Sequence, residues 1–250
     1  MDRRSTILQL INEADRVEVT ELATRLGVSQ VTIRKDLNQL QSQGLIRREH
    51  GFAEAMAPDN LLSRLAVHFD AKQRIAQAAA QLVDDGDTVM IESGSCCALL
   101  ATELAKRHAI TIVTNSTFIA DYVRDGTARV VLLGGDYEPE AQVTVGPLVA
   151  QCAKVFHAKR LFIGVDGYAD GEFSGKDLAR AAAVRAMAGR CDTTVVLSES
   201  SKFERAGSVS LLPTAAVATV VTDDGIAPAT KQALVAAGIT VTLTSHEGDT

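Results

Sequence analysis

The strongest restriction on the fold of this chain comes from seven short runs that are rich in β-branched and other aliphatic residues. They lie at 88–92, 111–114, 129–133, 160–165, 193–197, 218–222 and 240–243. Alanine-rich stretches with helical spacing separate them. Strands that are apolar on both faces and alternate with helices form a parallel sheet that is covered on both sides. We therefore predict a C-terminal α/β domain with a mostly parallel sheet over residues 69–250.

Residues 4–55 show the spacing of short helices instead. Apolar residues at positions 7, 8 and 11 predict a first helix, and Val17 and Val19 predict a short extended piece. Thr20 is a suitable N-cap for a second helix, which Gly27 would end.

A third helix is predicted to follow Ser29, another residue suited to the N-cap. Its apolar stripe has spacings of four and three residues and consists of Ile33, Leu37 and Leu40. Gly44 would end this helix, and residues 45–53 predict two short strands that turn near His50 and Gly51. These elements predict a winged helix-turn-helix domain over residues 1–56. A linker is expected over 57–68, where Pro58, Asp59 and Asn60 interrupt the pattern.

Charge is unevenly distributed along the chain. The whole chain carries a net charge of -6, whereas residues 24–48 carry +4, which leaves -10 on the remainder. A mildly anionic protein has no general attraction to nucleic acid, so any such attraction has to be local. The basic residues of the third helix lie in its N-terminal half, although an isolated helix favours acids there. This order suits a helix whose N-terminal half meets something negatively charged.

These features predict that the helix pair binds double-stranded DNA, with its second helix in the major groove. Arginine can read guanine and glutamine can read adenine through two hydrogen bonds, whereas cations on the hairpin would neutralise phosphates. The predicted DNA contacts are Ser29, Gln30, Thr32, Arg34 and Lys35 on the helix and Arg47, Arg48 and His50 on the hairpin. A small helical bundle with a solvated charged face and a protein-binding module are the alternatives.

Several predicted strands end in glycine-rich or polar turns. In open parallel sheets, ligands bind at the carboxyl ends of strands, where turns and helix N-termini offer backbone N–H groups. A phosphate at the Ser95 turn would gain such donors, a hydroxyl group and the positive end of a helix, and Lys202 would supply a cation. The turns are Ser93, Gly94 and Ser95; Asn115 and Ser116; Gly134 and Gly135; and Asp166 and Gly167.

The four cysteines lack the spacing of a zinc site or of a disulfide framework. Reduced thiols and a cytoplasmic location are therefore expected, and a redox sensor at Cys96 and Cys97 is the alternative. The histidines share no ligand spacing, and no run of about 18 apolar residues predicts a membrane span. We expect no metal, no cofactor and no membrane partner.

Residues 28–53 resemble the N-terminal helix-turn-helix of the DeoR family of bacterial transcription regulators, whose pattern is VS..TIR.DL..L..G...R.HG. The matching residues are Val28, Ser29, Thr32, Ile33, Arg34, Asp36, Leu37, Leu40, Gly44, Arg48, His50 and Gly51. Phe52 stands where the family usually has a second glycine.

The larger part resembles the effector domain of that family, which shares the fold of ribose-phosphate isomerases and glucosamine-phosphate deaminases and binds sugar phosphates. The stretches GPL at 146–148, GVDGY, FSGKD and REHGFA look closest to a YciT-like branch. Glu92 replaces a more common aspartate, and Cys96 stands where the family often has threonine. The effector residues that the resemblance implies are Glu92, Gly94, Ser95, Cys96, Asn115, Ser116, Gly134, Gly135, Asp166, Gly167 and Lys202.

The resemblance implies a sequence-specific repressor of carbohydrate metabolism or a related pathway, whose DNA binding responds to a bound sugar phosphate. Symmetric DNA half-sites call for a homo-oligomer, a dimer or a tetramer. The alternative is an enzyme, a sugar-phosphate isomerase or deaminase, in which Asp166, Glu92 and Lys202 would supply acid and base groups.

Overall fold

The computed structural model describes residues 3–14, 16–42, 46–55 and 61–245. The chain divides into two compact units, Met1–Phe69 and Asp70–Thr250. Apolar side chains of the first unit form one buried cluster, and the sheet and helices of the second unit enclose another.

The first unit consists of short helices and a small antiparallel sheet with the strand order β1-β3-β2. Its core is built from one face each of the first three helices together with Val17, Ile46 and Ala53. The elements are α1 (Arg3–Ala14), β1 (Arg16–Glu18), α2 (Val19–Leu26), α3 (Gln30–Ser42), β2 (Ile46–Glu49), β3 (Phe52–Ala55) and α4 (Leu61–Ala66).

Local signals place the ends of α2 and α3. Gly27 has a left-handed φ of 64° and ends α2, as predicted. The backbone N–H of Thr32 donates to Ser29 Oγ at 3.2 Å, which confirms Ser29 as the cap of α3. The predicted cap at Thr20 is wrong, because β1 ends at Glu18 and the N–H of Val19, the first residue of α2, donates to Gly51 O at 3.0 Å. Gly44 lies outside the described residues.

The predicted hairpin is present and has a third strand. His50 and Gly51 have φ values of 40° and 87°, and two consecutive left-handed residues are typical of a two-residue hairpin turn. Phe52 begins β3, and the Arg16 guanidinium lies 4.1 Å from the centre of its ring. The hairpin therefore forms with phenylalanine at the position where the sequence departs from the family pattern.

Part of the predicted linker is helical. Residues 61–66 form α4, whose Leu61 and Leu65 are buried and which packs against α1. Residues 56–60 lie outside the described part of the chain.

The second unit alternates strands and helices, as expected from the seven apolar runs. Two short 3-10 helices cover Ser200–Glu204 and Thr214–Ala216. The longer elements are α5 (Phe69–Ala80), β4 (Thr88–Ile91), α6 (Ser95–Ala105), β5 (Thr111–Thr114), α7 (Thr117–Tyr122), β6 (Arg129–Leu132), β7 (Asp136–Glu138), β8 (Val143–Val145), α8 (Pro147–Ala153), β9 (Ala158–Ile163), β10 (Gly167–Ala169), β11 (Glu172–Gly175), α9 (Leu178–Ala188), β12 (Cys191–Leu197), β13 (Val209–Pro213), β14 (Thr219–Asp223), α10 (Pro228–Ala236) and β15 (Thr240–Thr244).

The main sheet has seven strands in the order β15-β14-β12-β9-β4-β5-β6, and all adjacent strands are parallel. Each predicted run forms one of these strands, so the parallel sheet is confirmed. From β4 the chain proceeds through β5 to β6 on one side, and it then returns to β9 on the other side of β4. The order of strands reverses between β4 and β9, and such switch points are where open parallel sheets bind ligands.

The pattern of long apolar runs did not predict the short antiparallel strands. Strands β7 and β8 form one hairpin, and β10, β11 and β13 form a three-stranded sheet. These strands have three to five residues each. Asp170 and Gly171, both with positive φ, join β10 to β11, and an Asp-Gly pair is a strong hairpin signal.

Candidate functional sites

Helix α3 has one buried face and one face that is open to solvent. Ile33 and Leu37 are completely buried, and Leu40 is nearly so. The opposite face carries side chains that can hydrogen-bond or carry positive charge, and one apolar side chain. The exposed residues of α3 include Gln30, Val31, Arg34, Lys35 and Asn38.

Two of the predicted DNA-contact residues also stabilise the start of α3. Ser29 Oγ accepts the backbone N–H of Thr32 and lies 2.9 Å from Thr32 Oγ1. On the next turn, Arg34 Nη2 donates to Gln30 Oε1 at 3.4 Å, so these two side chains lie side by side. The contacts hold the polar side chains of the first turns in a defined arrangement.

Asp36 explains why an acid follows the basic residues of this helix. Its carboxylate is buried and accepts a hydrogen bond from Arg3 Nε of α1 at 2.7 Å. It therefore fixes α3 to α1 and lies away from the exposed cationic face. The positive charge of Arg34 and Lys35 remains on the surface.

The hairpin is tied to the exposed face of α3. Arg48 is half-buried, and its Nη1 donates to Asn38 Oδ1. Arg47, which follows Ile46 on β2, is exposed, as is His50 in the turn. The structure thus brings Arg48 to the helix and leaves Arg47 and His50 open on the hairpin.

A cleft lies at the switch point between β4 and β9. The loops that follow these strands run close together, because a Cβ on Gly94 would lie 3.7 Å from the Cα of Gly164. The cleft holds about 260 Å³, part of it open to solvent. Charged residues Glu92, Asp166, Lys176 and Arg180 line it, together with the apolar Val184 and Leu211.

Glu92, Ser93 and Arg180 form a connected group in this cleft. Glu92 is 3% exposed, and its Oε1 accepts the hydroxyl of Ser93 at 2.9 Å. Arg180 Nη2 donates to Ser93 Oγ at 2.9 Å and lies 3.7 Å from Glu92 Oε1. The guanidinium balances a carboxylate that burial would otherwise destabilise. The group offers both acceptors and donors to a polar ligand.

Sequence reasoning missed Lys176 and Arg180 as lining residues. Asp177 Oδ1 caps α9 by accepting the backbone N–H of Arg180 at 2.8 Å, which brings the first turn of this helix to the cleft. Arg180 and Val184 both line the cleft and are separated by four residues, the spacing of one helix face. In the sequence, the cap residue Asp177 and this four-residue spacing were the signals that could have placed Arg180 at the cleft.

The predicted phosphate turn lies at the start of α6. Gly94 precedes the helix with a φ of 137°, a conformation that side chains rarely adopt. Ser95 and Cys96 occupy the first turn and are buried. Helix N-termini attract anions through their N–H groups and dipole.

Asn115 and Ser116 follow β5, the neighbour of β4, and both are completely buried. Asn115 Nδ2 donates to Thr144 O at 2.9 Å, whereas its Oδ1 has no hydrogen-bond partner among the residues that the structure describes. A buried acceptor of this kind calls for an explanation, and a ligand hydroxyl would satisfy it. Ser116 Oγ accepts the N–H of Ile119 and therefore caps α7.

Two of the predicted glycines, Gly135 and Gly167, have structural reasons of their own. Gly134 and Gly135 follow β6, which lies two strands from β4, roughly 10 Å away at ordinary strand spacing. A Cβ on Gly135 would lie 2.4 Å from Val145 O, and a Cβ on Gly167 would lie 2.4 Å from Arg205 O. Close backbone packing therefore requires glycine at both positions.

Lys202 lies in the 3-10 helix that follows β12, the neighbour of β9 on the side away from β4. Its loop therefore follows the same edge of the sheet as the cleft, whose lining includes Asp166. The described residues contain no group of three or more His, Cys, Asp or Glu side chains that could hold a metal ion. Within the same residues, no helix is long and apolar enough to cross a membrane.

Comparison with known proteins identifies both units. The model of the DeoR-like helix-turn-helix domain matches residues 3–58, and that of the DeoR C-terminal sensor domain matches residues 67–224. The chain is 30% identical to the HTH-type transcriptional regulator UlaR of Shigella dysenteriae, over 96% of this chain and 97% of that protein. It is 29% identical to the lactose phosphotransferase system repressor of Streptococcus mutans, over 89% and 91%. Ribose 5-phosphate isomerase A of Methanocaldococcus jannaschii superposes on 54% of this chain and 55% of its own, with a TM-score of 0.39 and 18% identity.

Proposed function

We infer the function of this chain from the premise that it belongs to the DeoR family of bacterial transcription regulators. It is a DNA-binding regulator of transcription with a separate sensor unit. We propose that it represses genes of sugar metabolism and releases its operator when a sugar phosphate occupies the cleft between β4 and β9. The proposed effector site depends above all on one observation, the hydrogen-bonded group of Glu92, Ser93 and Arg180 at the switch point.

The exposed face of α3 is the proposed reader of base edges. Arg34 and Gln30 have side chains that pair with guanine and adenine, respectively, through two hydrogen bonds. Lys35, Arg47 and His50 are exposed and would contact phosphates, while Ser29 and Thr32 lie at the end of the helix that enters the groove. Arg48 holds the wing against α3 and would approach the same backbone.

The sensor cleft is the proposed effector site. The phosphate would bind the N–H groups of Ser95 and Cys96 at the start of α6, and Lys202 would contribute positive charge. The sugar would extend towards Glu92 and Asp166, whose carboxylates can accept its hydroxyl groups. Asn115 Oδ1, a buried acceptor that has no partner within the described part of the chain, would take a further hydroxyl.

The relatives favour a regulator over an enzyme. Those that match along nearly the whole chain are named as regulators or repressors. This chain also carries a helix-turn-helix domain, which an isomerase or deaminase does not need. The proposed regulator is a homo-oligomer and acts in the cytoplasm. Each subunit supplies one recognition helix, so binding to symmetric half-sites in successive major grooves needs at least two subunits.

The test starts with duplexes that the full chain selects from a random library. Their affinity is then measured by fluorescence anisotropy with and without each member of a panel of phosphorylated pentoses and hexoses. We expect at least one sugar phosphate to weaken binding. Lys202→Ala should keep the affinity for DNA and lose this response, whereas Lys154→Ala, an exposed lysine elsewhere in the sensor, should keep both.

Arg34→Ala tests the proposed reading of DNA bases by α3 in the same assay. It should lose about 1–3 kcal/mol of discrimination at the base that Arg34 reads, because the two hydrogen bonds disappear. If the chain selects no preferred duplex, the proposed sequence-specific binding to DNA is refuted. A normal sugar-phosphate response in Lys202→Ala would show that the effector site lies elsewhere.

A further inference from the structure

Val31 is an apolar residue in an unusual place. It is 73% exposed, whereas the other aliphatic residues that follow it in α3 are buried. Helix stability does not explain it, because valine is a weaker helix former than alanine. A single exposed apolar side chain is ordinary on a protein surface, so its position on the helix has to decide its role.

The position of Val31 is the middle of the exposed face. Successive residues of an α-helix are turned by about 100°, so Val31 points between the directions of Arg34 and Lys35. The buried stripe of Ile33 and Leu37 lies on the other side. If α3 enters the major groove as proposed, Val31 faces the base edges and has polar side chains around it.

The base edges in the major groove are almost entirely polar. They present hydrogen-bond donors and acceptors, and their apolar group is the C5-methyl of thymine. An aliphatic side chain gains nothing from the donors and acceptors, but it gains by removing this methyl group from water. We infer that Val31 contacts the methyl group of one thymine in each half-site and so helps to determine the operator sequence. This inference rests on the proposed docking of α3.

Uracil tests this contact without changing the protein. Uracil pairs as thymine does and lacks only the methyl group, so each thymine of a selected duplex is replaced by uracil in turn. Burial of one methyl-sized group is worth about 0.8 kcal/mol, which corresponds to about a fourfold change in affinity. We expect one thymine per half-site to show a loss of about this size.

The matching protein variant is Val31→Ala, which removes the methyl groups of the side chain and keeps a good helix former. It should weaken binding to the thymine duplex and should no longer distinguish thymine from uracil at that position. Val155→Ala is the control, because Val155 is 79% exposed but lies in the sensor unit. It should distinguish the two bases as the unchanged chain does.

The outcomes separate this inference from the proposed function. Binding without any sequence preference would refute the proposed function itself. Sequence-specific binding that is unchanged by every uracil, or selected half-sites without thymine under α3, would refute the role of Val31 alone. A uracil effect that persists in Val31→Ala would assign the methyl contact to another residue. Circular dichroism checks that the variant is folded, and the uracil series with the unchanged chain does not depend on that check.

Discussion

Gly134 and Gly135 are neighbours in the chain and differ in what surrounds them. A Cβ on Gly134 would have its nearest neighbours at 3.8 Å, an ordinary contact, whereas a Cβ on Gly135 would lie 2.4 Å from Val145 O and 2.7 Å from Val149 Cγ2. The backbone oxygen cannot move away without disturbing β8. We therefore assign Gly135 to packing between the end of β6 and the hairpin that follows it.

Alanine at each position tests this assignment. Gly135→Ala should lower the free energy of unfolding of the sensor by about 1–3 kcal/mol, because the added methyl group overpacks the site. Gly134→Ala should change it by less than about 0.5 kcal/mol. All three tyrosines, Tyr122, Tyr137 and Tyr168, lie in the sensor and the chain has no tryptophan, so tyrosine fluorescence in urea reports on this unit. Equal stability of the two variants would contradict the packing argument.

The residues of the sensor cleft were only partly predictable from the sequence. Glu92, Gly94 and Ser95 follow a recognisable strand, so their place at the edge of the sheet could be inferred. Arg180 could not be connected with them, because its partner Ser93 lies 87 positions earlier and the two meet through the topology of the sheet. Ser116 directly precedes α7 and caps it, a role that the prediction of an effector contact did not consider.

Helix α5 and the loop after β12 are joined by a buried ion pair. Lys72 Nζ lies 3.2 Å from Glu199 Oε2, and the side chains are 4% and 12% exposed. Glu199 directly precedes the 3-10 helix that carries Lys202, and α5 begins where the two units of the chain divide. The pair therefore connects the proposed phosphate loop to the helix nearest the DNA-binding unit along the chain.

Removal of one member of this pair should be more damaging than removal of both. Lys72→Met should lower the stability of the sensor by about 3 kcal/mol or more, because it withdraws the ammonium group from a buried carboxylate. Lys72→Met combined with Glu199→Leu should recover most of this loss, since no buried charge of the pair remains.

An exposed pair provides the control for this experiment. Lys106 is 63% exposed and pairs with Glu103, so Lys106→Met should change the stability by less than about 0.5 kcal/mol. Tyrosine fluorescence in urea measures all three variants. A single variant Lys72→Met that is as stable as the unchanged chain would show that the ion pair does not support the fold.

Length and apolar content decided which elements were predictable. The inner strands of the main sheet are largely buried, whereas the edge strands β6 and β15 are partly exposed. The continuous β-branched runs of all seven stand out from the helices between them. Strands β7, β8 and β10 have three residues each and β11 has four, and they pair in small sheets apart from the main one. Their pairing depends on turns such as Asp170–Gly171 and on partners that sequence alone does not supply.

The whole molecule has the charge distribution of a regulator with one local DNA-binding face. Residues 24–48 carry +4, whereas the whole chain carries -6, so the sensor cannot contribute a general attraction to DNA. A sugar phosphate is itself an anion, and adding it also raises the ionic strength, which weakens any protein–DNA complex. A loss of DNA binding is therefore not sufficient evidence of a specific effector.

Reciprocal coupling distinguishes the two effects. If the sugar phosphate lowers the affinity for the selected duplex by a given factor through binding to the sensor, the duplex must lower the affinity for the sugar phosphate by the same factor. Calorimetric titration of the full chain with the most effective sugar phosphate, with and without saturating duplex, should show this equality. Sodium chloride at matched ionic strength is the control and should show no saturable coupling. Equal affinity for the sugar phosphate in both titrations would mean that its effect on DNA binding came from ionic strength alone.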